Sequence, residues 1–297
     1  VLIVFPYCPF SFCFQGGKTG ALGVNETTAN NTNDLLLLDS IHTISAQLAP
    51  WALGSLDGPT TCYHSAVPGG QNNRHLIVYG GQTANGSNND SSTTTLYYYN
   101  TLTESWFKPD IESPARRIEH SMATRLDSGI AYLFGGYPLT NDLWSLDTVG
   151  MAWQQFPNQT FTPSPRYHHS ATLLADGRMV IIGGFDGSNT VNMNNIYIFD
   201  TNALEWSFSN ATGNVPAPRR DHAATALWEG SSIFIHGGTD KDYGTFMSDI
   251  AILNCTAQAS CNWQFPPNPS PPPGRYAHTA TLIGMDTMGC VNHYSFL

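Results

Sequence analysis

The sequence predicts an all-β fold assembled from repeated four-stranded sheets. Three markers predict it, each recurring in one fixed order along the 297 residues. Double glycines stand at Gly16-Gly17, Gly80-Gly81, Gly135-Gly136, Gly183-Gly184 and Gly237-Gly238. Tryptophans follow at Trp51, Trp106, Trp153, Trp206 and Trp263, and histidines open the same cycle at His64, His120, His169, His222 and His278. The common period is roughly fifty residues, the signature of a repeat architecture in which each unit cannot cover its apolar faces alone.

Within a cycle the first strand follows the histidine, as in "HSATLL", "HAATAL" and "HTATLI". The second runs into the double glycine ("HLIVYGG", "IAYLFGG", "RMVIIGG", "IFIHGG"), and the third ends on Asp or Asn ("TLYYYN", "DLWSLD", "NIYIFD", "DIAILN"). Both are continuous apolar runs, as expected of strands covered on two faces. The closing Asp or Asn starts a tight turn through its own side chain, and the fourth strand carries the tryptophan. The opening "VLIVFPYCPFSFCF" has no basic flank; it reads as two strands, because "FSFCFQGG" fits the second-strand pattern, with a signal-peptide remnant as the alternative.

A double glycine with spaced Tyr and Trp positions resembles the kelch repeat, and the resemblance covers almost the whole chain. It implies a β-propeller, each repeat forming one four-stranded blade around a central axis. In style the chain is similar to secreted fungal kelch proteins of the galactose-oxidase-like kind. The expected blades occupy 1–53, 60–108, 115–156, 165–208 and 218–265, with a partial one at 274–297, all in one domain over 1–297. "GRYAHTATLIG" supplies the first strand of a sixth blade, whereas "MDTMGCVNHYSFL" offers neither a second strand nor a glycine pair. A six- or seven-bladed ring cut short is therefore expected, since an open ring leaves sheet edges unpaired.

The formal net charge of −10, with lysine only at 18, 108 and 241, argues against nucleic acid as a partner. No apolar run reaches the length of a membrane-spanning helix, so membrane association is expected only through a segment outside this chain.

Arg117, Arg166, Arg219 and Arg275 each stand three residues before the repeat histidine, with Thr61 in their place in the second cycle. They admit two roles: an axial ring that attracts an anionic ligand, or hydrogen bonds that set blade register. Recurrence with the repeat favours register. The five histidines could hold a metal, yet ligand sets come from irregular positions, and neither metal nor cofactor is expected.

The resemblance raises a carbohydrate oxidase of the galactose-oxidase type as the alternative function. That family's copper site, with its two Tyr, two His and Tyr–Cys link, has no matching context around any of the six cysteines. Fold alone does not license the activity.

Cys255 and Cys261 flank a short loop between strands, a natural disulfide staple, and Cys8 and Cys13 offer a similar pair. Disulfides point to an oxidising compartment. Glycosylation sequons begin at Asn25, Asn30, Asn85, Asn89, Asn158, Asn210 and Asn254. About four would arise by chance in so Asn-, Ser- and Thr-rich a chain, so their placement says more than their number. All but Asn254 fall in the loops between strands two and three or between blades, on one expected face. The expected function is a non-catalytic kelch scaffold of a secreted or cell-surface glycoprotein, binding protein or glycan partners through its loops.

Overall fold

The computed structural model describes residues 2–4, 12–19, 30–38, 51–83, 96–267, 270–283 and 287–292. Among them the chain is all-β apart from a 3₁₀ turn at Gln71–Asn73, and no helix is long and apolar enough to cross a membrane.

The first sheet joins β1 (Leu2–Val4), β2 (Phe12–Thr19), β3 (Asn30–Leu38) and β4 (Trp51–Leu53) in sequence order. A two-strand ribbon follows, β5 (Thr61–Cys62) with β8 (Gln82–Thr83). The second sheet runs β6 (Ser65–Gly69), β7 (His75–Tyr79), β9 (Leu96–Asn100), β10 (Ser105–Phe107). The third is β11 (Ser121–Arg125), β12 (Ile130–Phe134), β13 (Leu143–Asp147), β14 (Ala152–Phe156). The fourth is β15 (Ser170–Leu173), β16 (Arg178–Ile182), β17 (Asn195–Asp200), β18 (Glu205–Asn210). The fifth comprises β20 (Ala223–Ala226), β21 (Ser232–His236), β22 (Ile250–Cys255) and β23 (Cys261–Gln264). It gains an unexpected parallel edge strand, β19 (Thr212–Gly213), from the segment that links it to the fourth.

The last sheet corrects one expectation. The sequence implies only the first strand of a sixth repeat, β24 (His278–Ile283), but a second, β25 (Thr287–Asn292), is hydrogen-bonded to it. Strand pairing is made by the backbone, so it does not require the apolar run and glycine pair by which the other second strands were recognised.

In the second to fifth sheets burial grades from strand to strand. Second strands are buried almost throughout, as in β16, where all five residues are covered; fourth strands alternate with solvent, as in β14 and β18. The turn from third to fourth strand is built by the closing Asp or Asn. Asn100 Oδ1 accepts from the N–H of Leu102 at 2.9 Å, Asp147 Oδ1 from Gly150 at 2.8 Å, and Asp200 Oδ1 from Asn202 at 2.8 Å. A threonine after that residue reaches back to the turn between strands one and two: Thr148 Oγ1 donates to Gly129 O and Thr201 Oγ1 to Gly177 O, both at 2.6 Å.

The chain divides into two compact units, one of Val1–Tyr132, Trp144–Gln154 and Asn292–Leu297, the other of Leu133–Leu143 and Gln155–Val291. In the first, Leu35, Ala66, Leu76, Val78 and Tyr99 form a core between the first and second sheets. In the second, Val180, Ile196 and Ile198 of the fourth sheet meet Ile233, Ile235, Leu253 and Trp263 of the fifth. In both units a core lies between neighbouring sheets, so removing one sheet uncovers the next.

Candidate functional site

The repeat markers act on the adjoining repeat. The N–H of the second glycine in four pairs donates to the carbonyl of the arginine that opens the following cycle: Gly81 to Arg117 and Gly136 to Arg166 at 2.9 Å, Gly184 to Arg219 at 3.0 Å, Gly238 to Arg275 at 2.8 Å. The first glycine lies under the next histidine. At Gly183 (φ +60) a Cβ would come within 2.8 Å of Arg219 O and 3.0 Å of His222 Cε1, and at Gly184 (φ +93) within 2.7 Å of His169 Cβ. Positive φ and close backbone approach together leave no room for a side chain.

Arg117, Arg166 and Arg219 are buried and Arg275 half-buried. Each Nε donates to the carbonyl two residues back: Ala115 at 3.2 Å, Ser164 at 3.1 Å, Ala217 at 3.0 Å and Pro273 at 3.1 Å. Arg219 also grips Asp249 through two bonds of 2.8 and 2.7 Å and donates to Gly237 O at 3.0 Å. Arg166 donates to Gly183 O at 3.3 Å and Ser164 Oγ at 2.9 Å.

The histidines are packed under the same glycines. Burial above all, with Arg219 nearby, lowers the pKa of His222 to about 3; burial, then His236 and Arg275, lowers that of His278 to about 3. His222 Nε2 lies 2.9 Å from Ser170 Oγ, and His278 Nε2 lies 3.0 Å from His236 Nδ1. Among the described residues no three His, Cys, Asp or Glu side chains are grouped to hold a metal.

The residue just before each repeat histidine carries a feature the sequence conceals. Tyr63, Glu119, His168, Asp221 and Ala277 all have φ between 52 and 57. Their backbones form a ladder from repeat to repeat: Glu119 N–H to Tyr63 O at 2.9 Å, Asp221 N–H to His168 O at 3.0 Å, Ala277 N–H to Asp221 O at 2.9 Å. None is glycine, so no residue type announces the left-handed backbone.

In the second unit this region opens onto a connected aromatic surface. Tyr137 meets Tyr167 at 5.7 Å between ring centroids, and Tyr167 meets Phe185 at 5.5 Å. The Arg220 guanidinium lies 4.8 Å from the centre of Phe185 and 4.3 Å from that of Tyr243. Tyr243 meets Tyr276 at 5.3 Å, and Phe246 stacks on Tyr276 at 5.1 Å. Tyr137, Tyr243 and Phe246 are 45%, 38% and 53% exposed. These residues come from the loops between second and third strands and from the segments that open each repeat. Sequence reading singled out those loops but not the aromatics within them; the Tyr after the repeat arginine in "RYHH" and "RYAH" was the available signal.

Arg220 is fixed in place by Asp221 at 3.2 Å and by Tyr243 Oη. Burial opposes its charge, but Asp221 and Tyr243 hold its pKa above the ordinary value. Asp221 also accepts from His168 Nδ1 at 2.5 Å. Burial pushes the Asp221 carboxyl up, and His168 and Arg220 more than reverse that. The outcome is a fixed cation inside an aromatic surface.

Cys255 and Cys261 face each other across the closing turn of the fifth sheet, with sulfurs at bonding distance and Cα atoms 4.2 Å apart. Asn158 and Asn210 are exposed. Asn254 sits half-buried inside β22, its Oδ1 accepting from Ser232 Oγ at 2.6 Å. Asn25, Asn85, Asn89 and Cys8 lie outside the described residues, as do the side chains of Asn30 and Cys13.

The family model of the KLHDC2/KLHL20/DRC7 Kelch-repeats domain matches residues 13–187 and 63–289. Among curated proteins the chain is 31% identical over 164 residues to Acyl-CoA-binding domain-containing protein 4 of Arabidopsis thaliana, covering 54% of this chain and 23% of that protein. It is 29% identical over 165 residues to the Rab9 effector protein with kelch motifs of Danio rerio, covering 52% and 46%. It is 30% identical over 165 residues to Kelch domain-containing protein 3 of Homo sapiens, covering 51% and 42%. The chain thus spans less than half the length of these relatives. With all-β four-stranded sheets in tandem, and four of its glycine pairs bonded to the arginine that opens the following cycle, the chain belongs to the kelch-repeat family.

Proposed function

We propose that this chain is a non-catalytic scaffold that docks a protein partner on the aromatic loop face of its second unit. The observation that carries the proposal is the connected run from Tyr137 through Arg220 to Phe246, delivered by the loops of successive repeats. Tyr and Arg dominate the residues whose loss costs most at protein interfaces, because they bring large rigid area and a polar end. Arg220 is held in position before any partner arrives, so little side-chain entropy is lost on binding. The related Rab9 effector protein with kelch motifs is by its name an effector, which agrees with a binding role.

The reading includes an extracellular or cell-surface setting, supported by the Cys255–Cys261 pair and the exposed sequons at Asn158 and Asn210. A photoreactive side chain at Tyr243, in protein made by its native host, should cross-link one defined partner. The double variant Tyr243→Ala, Phe246→Ala should then weaken the purified partner's affinity by about tenfold or more. An unchanged affinity removes the docking surface. Unmodified asparagines and free thiols in the same material remove the extracellular setting.

A further inference from the structure

The fifth sheet completes an ion pair on a buried arginine that the fourth sheet leaves half made. In the fifth sheet Ile235 pairs with Ala251, which puts Asp249 opposite Gly237, where it meets Arg219 with both carboxylate oxygens. In the fourth sheet Ile181 pairs with Tyr197 in the same register, which puts Asn195 opposite Gly183. Arg166 there occupies the place of Arg219 and is as deeply buried, 1% exposed. It bonds Ser164, the Gly183 carbonyl and the Tyr197 side chain, whose ring centre lies 5.0 Å from the guanidinium; these groups are uncharged, and among the described residues no carboxylate hydrogen-bonds it.

The space beside it is open. A cavity of about 480 Å³ is lined by Arg166, Ser164, Asn189, Asn192, Asn195 and Tyr197, a size that suits a small ligand or a single residue. We propose that this pocket binds a carboxylate group, which takes the position opposite Arg166 that Asp249 fills opposite Arg219. The pocket adjoins the aromatic docking surface, since Thr190 of its lining pairs with Phe185, but its binding chemistry does not depend on that surface.

The physical argument is the cost of a buried charge. Burial lowers the Arg166 pKa to about 10, and Tyr197 and Asp186 only partly offset it. A guanidinium is shaped for a bidentate carboxylate and stays charged near neutral pH, so a visiting carboxylate relieves a deficit that Arg219 does not have. The neighbouring amides and the Ser164 hydroxyl add neutral partners around the same spot. Asp186 also lines the cavity and repels an anion, although its Oδ1 is occupied by the N–H groups of Ser188 at 2.9 Å and Asn189 at 2.8 Å.

The test titrates the intact chain, labelled with ¹⁵N-arginine, at low chloride. The probes are acetate for a free acid, N-acetylglycine for a chain terminus and N-acetylaspartate dimethylamide for a side chain in its β-carboxylate form, with N-acetylglycinamide as neutral control. At least one carboxylate should shift an arginine Nε–H resonance saturably while the amide does not, and the arm that binds tightest identifies the source. Asn195→Asp supplies the missing carboxylate from within. That variant should melt cooperatively at an equal or higher temperature and lose affinity by roughly tenfold or more. Asp186→Asn should bind about threefold more tightly, because one repelling charge is gone. Saturable binding by none of the carboxylates, or unchanged binding in Asn195→Asp, overturns the proposal.

Discussion

At Gly184 the room for a side chain is set by the neighbouring backbone. Its φ of +93 disfavours any L-residue, and a Cβ would press on His169 and on the Tyr167 carbonyl, 2.9 Å away. Gly184→Ala should therefore cost about 2 kcal/mol or more, read as a lower urea midpoint with an unchanged slope. This device was legible in the sequence because only glycine serves there. The left-handed residues Glu119, His168 and Asp221 were not, since their types do not mark the conformation and their partners lie about fifty residues away. The same holds for Arg220: two adjacent arginines look alike in "RRDH", yet Arg219 is committed to Asp249 and Arg220 to an aromatic surface.

At the scale of the strand and turn, Trp263 of β23 links two sheets of the second unit. Its ring is fully covered and its Nε1 donates to Met193 O at 2.7 Å. Trp263→Phe keeps most of the apolar contact but leaves that buried carbonyl unpaired, and should cost about 1–3 kcal/mol in a denaturant melt. Arg178, at the head of β16, does similar work at the closing turn of the next sheet, donating to Thr256 O at 2.5 Å and Cys255 O at 3.1 Å. Where Cys255 and Cys261 are oxidised, reduction of their short loop should lower stability by about 2 kcal/mol; a melt with and without reductant reads it. Strands two and three were legible from their apolar runs. The parallel edge strand β19 was not, because a two-residue ladder has no periodicity to detect.

For the molecule as a whole, the buried histidines make stability depend on acid. His222 and His278 have folded pKa values near 3, against 6.5 for an ordinary histidine. Between those values the unfolded chain binds protons that the folded chain refuses, so stability present above pH 6.5 is lost as pH falls toward 3. The loss should reach about 2 kcal/mol per histidine at pH 5. Asp221, held below its usual range by His168 and Arg220, adds loss in the same direction at lower pH. A series of thermal melts from pH 7.5 to 4 should show a falling midpoint, less steep in His278→Asn; a flat profile contradicts neutral buried histidines.

The repeat, its period and its four strands per cycle were determined by sequence alone, because apolar runs and obligatory glycines are local properties that recur wherever the same sheet must pack on the next. Tertiary structure decided which polar residues of that repeat are used up and which are left over. Asn195 and Asp249 differ by a few atoms, and both arginines belong to the same motif. Only the register of strands joined across a long loop places Asp249 against Arg219 and leaves Arg166 facing an open cavity. Charge pairing depends on distances of a few ångströms between residues far apart in the chain, and those distances exist only once the sheets have formed.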